Sequence, residues 1–261
     1  VEFLKGHGTE NDFVLLPDLD GALDLSDRLV AALCDRRAGL GADGVLRVVR
    51  SEVAGEPVAP GATWFMDHRN ADGSRPEMCG NGVRLFAHYL VSAGLEQAGT
   101  FTVATRGGLK DLVVTEGQVT VDMGLAQPGE PVLVDGELAQ FVDMGNPHAV
   151  VSVPAVPTGA LHPDRLDLNV EYVARIGPAH LAFRVHERGV GETRSCGTGA
   201  CAVVVADSLA GGVGRDEPVV VDVPGGRLTV TWRSDGHVLL QGPAELVGSG
   251  TLDDAWVAAH R

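Results

Sequence analysis

Two short segments carry the residues best suited to proton chemistry. Glu77-Met78-Cys79-Gly80-Asn81-Gly82 opens one predicted helix, and Arg194-Ser195-Cys196-Gly197-Thr198-Gly199 opens another. A cysteine just ahead of a helix meets free backbone N–H groups and the positive end of the macrodipole. Both stabilise a thiolate, which predicts a lowered thiol pKa. The same N–H groups can hold a carboxylate, and the glycines let it approach the backbone. One such cysteine alone reads as a packing residue. Two duplicated elements imply more. A pseudo-two-fold relation would set two thiols on opposite faces of one carbon, with two helix ends converging on one carboxylate. That layout suits inversion at a carbon acid, where one thiol removes the α-proton and the other supplies a proton from the far side.

Other residues join this pattern with less weight. His148, in Gly145-Asn146-Pro147-His148 between two strand-like runs, is the best candidate to help deprotonate a thiol; alone it would read as a turn histidine. Glu187 precedes Gly189-Val190-Gly191 and either projects from a strand end or is a solvated surface carboxylate. Asn70 and Glu187 stand at the same offset ahead of Cys79 and Cys196. Asn11 reads as a turn residue, and His68, His88 and His186 have no special context. Cys34 and Cys201 fall inside predicted helices and read as packing. The Cys196/Cys201 spacing is not the redox C-x-x-C, and no second ligand pair completes a zinc site.

The elements that must position these groups are short strands and three helices. Helices are predicted from a Ser26 cap to about Arg37, from Gly80 to Ser92, and from Gly197 to Leu209, each stopped by glycine. Strand-like runs include Glu2–Leu4, Asp12–Leu16, Val45–Arg50, Ala62–Met66, Phe101–Ala104, Asp111–Thr115 and Gln118–Met123. Further runs are Phe141–Asp143, Ala149–Val153, Leu181–His186, Val219–Val223, Arg227–Trp232 and His237–Gln241. Mostly antiparallel strands with few helices predict an α+β fold. The repeated Cys-Gly-x-Gly helices predict two pseudo-repeated domains, with a boundary near Gly107–Thr115.

Lys and Arg total 20 against 35 Asp and Glu, a formal charge of −15. Such a chain repels phosphate backbones and anionic lipid, which argues against nucleic-acid or membrane partners. No apolar run has transmembrane length, the first residues do not resemble a signal peptide, and four cysteines are too few for a disulfide scaffold. A cytoplasmic protein with reduced thiols is expected. No Rossmann fingerprint or P-loop is present.

Along nearly its whole length the chain resembles the diaminopimelate epimerase family. The matching motifs are Lys5-Gly6-His7-Gly8-Thr9-Glu10-Asn11-Asp12-Phe13, Arg37-Ala38-Gly39-Leu40-Gly41-Ala42-Asp43-Gly44, and Arg69-Asn70-Ala71-Asp72-Gly73-Ser74. They continue with Met78–Arg84 around Cys79, Met144–His148, Asn169-Val170, and Glu187–Gly199 around Cys196. Gly44 and Glu10 depart from residues seen in some members.

The resemblance implies two pseudo-symmetric domains, each a mostly antiparallel β-sheet or barrel around a central helix. The first would span 1–111 and carry Cys79, with 245–261 packing back on it. The second would span 112–244 and carry His148, Glu187 and Cys196. It implies a cofactor-independent epimerase, with no metal, interconverting LL- and meso-2,6-diaminopimelate for lysine and peptidoglycan precursors. Cys79 and Cys196 would be the base and acid, assisted by His148 and Glu187. Backbone amides of Gly80, Asn81, Gly197 and Thr198 would hold the reacting carboxylate. Asn70, Asn169, Glu187 and Arg188 would read the distal amino-acid end, with Asn11 and Asn146 lining the site, and a homodimer is expected. The rivals are a racemase or isomerase of the same fold acting on another amino acid, a ligand-binding pseudo-enzyme, and a zinc or redox protein using Cys196 and Cys201.

Overall fold

In the computed structural model, which describes residues 1–261, the chain opens with an antiparallel hairpin, β1 (Glu2–Gly8) and β2 (Asn11–Pro17). Helix α1 (Asp27–Cys34) then carries it to β3 (Gly44–Arg50), which lies parallel to β2 and antiparallel to β4 (Trp64–Asn70). Next comes α2 (Gly80–Ser92), after which β5 (Gly99–Thr105) runs parallel to β4 and forms a hairpin with β6 (Gly108–Thr115).

The second half adds β7 (Gln118–Leu125), β8 (Gln127–Pro128) and β9 (Val132–Val134), then repeats the plan. β10 (Glu137–Asp143) and β11 (Pro147–Ser152) form a hairpin, and β12 (Asn169–Gly177) lies parallel to β11. β13 (His180–Glu187) is antiparallel to β12 and to the short β14 (Gly191–Thr193). After α3 (Gly197–Leu209), β15 (Pro218–Val223) lies parallel to β13 and forms a hairpin with β16 (Gly226–Trp232), followed by β17 (His237–Pro243). The chain closes with β18 (Glu245–Thr251) and α4 (Asp254–His260).

Two units result: Val1–Val119 with Ala244–Arg261, and Thr120–Pro243. Each is α+β, mostly antiparallel, and built in the same order: hairpin, parallel step, antiparallel partner, helix, parallel step, hairpin. The division falls in β7, not at 111/112. A cut at 111 would split β6, whose residues 108–114 pair with β5. The terminal segment joins the first unit because β18 pairs with β1 along Glu2–His7. Leu252 and Val257 also pack into the cluster of Val14, Leu29, Val30 and Leu33.

The two central helices are buried nearly all round, as helices without a polar face must be. Val83, Leu85, Phe86 and Leu90 of α2, and Ala200, Cys201, Val203 and Val205 of α3, have no solvent exposure. Each large side chain so buried contributes about 1.5–3 kcal/mol. Helix α1 is shorter than its pattern predicts. The Asp35 carboxylate accepts the N–H groups of Arg37 and Ala38, both at 2.7 Å, and this local competition turns the chain after Cys34. Strands β8, β9, β12, β14 and β18 and helix α4 lie outside the runs that the sequence pattern predicts.

Register makes the two units comparable residue by residue. Phe13 lies beside Gly44, and Gly44 faces Asn70. His148 lies beside Asn169, and Val170 faces His186, so Asn169 is level with Glu187. Asn11, Phe13, Leu46 and Asn70 of the first unit therefore occupy the places of Asn146, His148, Glu171 and Glu187 in the second.

Candidate active site

Cys79 is the N-cap of α2, with extended backbone, and its Sγ accepts the Gly82 N–H at 3.4 Å. The thiol lies 3.6 Å from Asn11 Oδ1, an acceptor. Asn11 follows a tight turn in which Thr9 and Glu10 both have positive φ, a strained conformation for such residues. Thr9 Oγ1 takes a hydrogen bond from Arg84 Nη2 at 3.1 Å, which helps hold the turn. Asn11 Nδ2 donates to Asp43 Oδ2 at 2.7 Å, so the amide oxygen turns toward the thiol and the Asn81 Nδ2, 3.2 Å away. Asp43 also pairs with Arg36 at 2.8 Å. Beside it, burial works against ionisation of Asp12, but Arg36 and Lys5 outweigh it and hold the carboxyl at about 2.

The rest of this half-site is polar at its rim and apolar beneath. Asn81 is buried, its Oδ1 accepting from Arg84 Nη2 at 3.0 Å, so its side chain braces the helix start. Asn70 donates to Ser74 Oγ at 2.9 Å. His68 packs edge-on against Phe13 with ring centroids 5.6 Å apart. Burial and the nearby Arg106 push His68 down to about 4, so it is neutral at neutral pH.

Cys196 caps α3 in the same way, accepting the Gly199 N–H at 3.3 Å, with Thr198 Oγ1 at 3.4 Å. Its surroundings differ. Glu187 lies against the thiol and accepts a hydrogen bond from the Thr193 hydroxyl. His148 is fully buried and sits on β11, not in a loop. Its Nδ1 lies 2.6 Å from Glu171 Oε1, and its Nε2 lies 3.0 Å from Asn146 Oδ1. Asn169 donates to the Pro147 carbonyl at 2.9 Å and accepts the Arg188 N–H at 3.0 Å, which locks the backbone that presents the exposed Arg188. Gly197 is buried and Thr198 half-buried at the helix start.

The expected lowering of the thiol pKa does not hold for Cys196. Burial, then the negative charges of Glu187 and Glu171, push it well up, while Thr198 and the Gly199 N–H pull weakly the other way. Burial and Glu171 likewise raise Glu187 against Thr193, His148 and the Cys196 thiol. In this half-site burial therefore works against the charged form of both the Cys196 thiol and the Glu187 carboxyl.

The first unit brings together Cys79, Asn11, Gly80 and Asn81, and the second, separately, brings together Cys196, Glu187, His148, Asn146, Gly197 and Thr198. Asn70, bonded to Ser74 in the first unit, and Arg188, whose N–H is held by Asn169 in the second, make no hydrogen bond to the cysteine of their own unit. Glu171 was missed. Its signal is the run Asn169-Val170-Glu171-Tyr172-Val173, a carboxylate set among strand-forming residues. No group of three or more His, Cys, Asp or Glu side chains is arranged to hold a metal ion.

Each of the two sheet-and-helix units offers a cysteine at a helix start, its sulfur accepting the N–H three residues on. Solved structures share this fold. A phenazine biosynthesis protein of the PhzF family from Bacillus anthracis matches with a TM-score of 0.74 at 15% identity, over 97% of this chain and 99% of that one. A hydroxyproline epimerase from Agrobacterium vitis matches at 0.69 and 14%, over 99% and 97%. The sequence is far more specific. The family model described as "Diaminopimelate epimerase" matches residues 3–128 and 140–247. Diaminopimelate epimerases from Streptomyces coelicolor and Thermobifida fusca are 52% and 48% identical, covering 98% and 97% of this chain and 97% and 98% of theirs. The chain belongs to the diaminopimelate epimerase family.

Proposed function

We propose that the chain interconverts LL- and meso-2,6-diaminopimelate without a bound cofactor, Cys79 and Cys196 acting as base and acid on opposite faces of one α-carbon. The observation that carries this reading is the duplication. At equivalent places each unit opens a buried helix with a cysteine whose sulfur takes the N–H three residues on. Family membership supports the substrate.

One thiol enters turnover ionised and the other protonated. The thiolate takes the α-proton, the C–H electron pair spreads into the carboxylate, and the second thiol returns a proton to the opposite face. The two sulfurs leave with exchanged protonation. First-turn N–H groups of a helix have no intrahelical acceptor, so those of Gly80, Asn81, Gly197 and Thr198 hold the carboxylate as charge builds on it. When Cys196 is the base, its proton passes to Glu187, with His148 assisting. Asn70, Asn169, Glu187 and Arg188 read the distal ammonium and carboxylate, the guanidinium supplying a planar fork, while Asn11 and Asn146 line the site. The product serves lysine and peptidoglycan precursor synthesis in the cytoplasm, and the working form is a homodimer.

The test is NMR of LL-diaminopimelate with reduced protein in deuterated water, with no pyridoxal phosphate added. Exchange of the α-proton and growth of the meso isomer are expected. A folded, reduced protein that gives neither overturns the reading.

A further inference from the structure

The Cys196 half-site holds one ionisable group that the reaction above does not use. Glu171, on β12, has no solvent exposure. Its Oε1 meets His148 Nδ1 at 2.6 Å, and its Oε2 is buried without a hydrogen-bond partner. A buried carboxylate oxygen left unpaired is costly, so its retention calls for an explanation. Helix α3 makes room for the group. A Cβ on Gly199 would stand 2.7 Å from Glu171 Oε1 and 3.4 Å from Cys196 Sγ. The carboxylate therefore sits under the first turn of the helix, close to both imidazole and thiol.

The first unit shows that this place does not demand a charge. Leu46 stands where Glu171 does, its Cδ2 3.3 Å from a Cβ built on Gly82, and Phe13 stands where His148 does. The same backbone thus accepts hydrocarbon at both positions.

We propose that Glu171 is a positioning residue for the epimerisation: it fixes the His148 imidazole through Nδ1 and couples it to the Cys196 thiol. The inference rests on the reading of Cys196 as an acid and base. A carboxylate at Nδ1 keeps the proton on that nitrogen and sets the ring plane, as an orienting acid does for a catalytic histidine. The charged groups acting on the thiol are Glu187 from β13 and Glu171 from β12, and the His148 imidazole from β11 meets Glu171. The two carboxylates oppose its ionisation.

Two variants test this. Glu171→Gln keeps volume and an acceptor oxygen but removes the charge; Glu171→Leu copies Leu46 and removes both. Melting curves establish that each variant folds. The readouts are kcat and KM, and the pH dependence of iodoacetamide alkylation at each cysteine by mass spectrometry, with Cys79 as internal reference. Glu171→Leu is expected to lower kcat about 100-fold, with KM changed less than about threefold. Glu171→Gln is expected to move the Cys196 alkylation midpoint down by about one pH unit while Cys79 stays put. If only the Gln variant folds, its alkylation profile decides. Wild-type kcat with an unmoved Cys196 profile overturns the proposal. If the wild type fails to epimerise diaminopimelate yet Glu171→Gln still moves the Cys196 profile, the substrate reading falls and the coupling of Glu171 to the thiol stands.

Discussion

Beneath Cys79 lie Phe13, Leu46 and Asn70; at the same places beneath Cys196 lie His148, Glu171 and Glu187. The helix starts above them are nearly identical, with cap backbone angles of −138° and 121° for Cys79 and −124° and 117° for Cys196. At Cys196, therefore, the helix N-terminus does not by itself lower the thiol pKa. The macrodipole is worth about 0.3–1 kcal/mol at a terminus, less than the 1.4 kcal/mol of one pKa unit, whereas full burial can shift a group by several units. At Cys196 burial and two carboxylates win. The second half-site carries its own proton acceptors, while the first offers its thiol the amide oxygen of Asn11. That oxygen is aimed by Asp43.

The largest effects should come from the sulfurs. Cys79→Ala and Cys196→Ala are each expected to lower epimerisation more than about 10³-fold. Each should still exchange the α-proton of one stereoisomer with deuterated water, and not the same one. Exchange from the same isomer in both variants would break the division of labour between the half-sites.

Giving the second half-site the residue of the first is the next step. His148→Phe copies Phe13 and should reduce kcat/KM by about 100-fold. The equilibrium constant is a property of the substrate, so the loss must be equal in both directions. A wild-type rate in this variant would show that the histidine is only packing.

The pH profile sharpens the contrast. The proposed proton transfer from Cys196 to Glu187 requires Glu187 as a carboxylate, and burial raises its pKa above the ordinary value. Activity is therefore present above that raised pKa and lost as pH falls through it. Glu187→Gln should remove this acid limb and cost about tenfold or more in rate. An acid limb at the usual glutamate value of about 4.3 in the wild type contradicts the assignment.

The smallest effect separates the two glycines. Gly199→Ala drives a Cβ to 2.7 Å from Glu171 Oε1, whereas at Gly82 the nearest atom is the end of Leu46 at 3.3 Å. The first should cost about 1–3 kcal/mol by overpacking, and the second less than about 1 kcal/mol, since alanine also favours the helix. Equal melting temperatures would show that Glu171 yields freely.

The repeat was legible because its marks are local. A cysteine, two glycines and an apolar run of helical length need no distant partner to be read, and both helices begin and end where the pattern places them. The end of α1 was misplaced because a single side chain, Asp35, competes with the helix for the next N–H groups. Strand β12 was missed for a related reason. Glu171 interrupts its apolar pattern, and an inward-facing carboxylate mimics a solvent-facing one until its neighbours are known.

The chain's own order of residues determined the α+β class, the two cysteine-capped helices and the family. These follow from periodicity, glycine stops and short motifs, which act over a few residues. The tertiary structure alone decided the acidity of the Cys196 thiol. The Cys196 thiol is raised because the fold buries it and because strands β13 and β12 bring Glu187 and Glu171 under the same helix end. Charge and desolvation act through space, so residues far apart in sequence set a pKa that no local pattern can express.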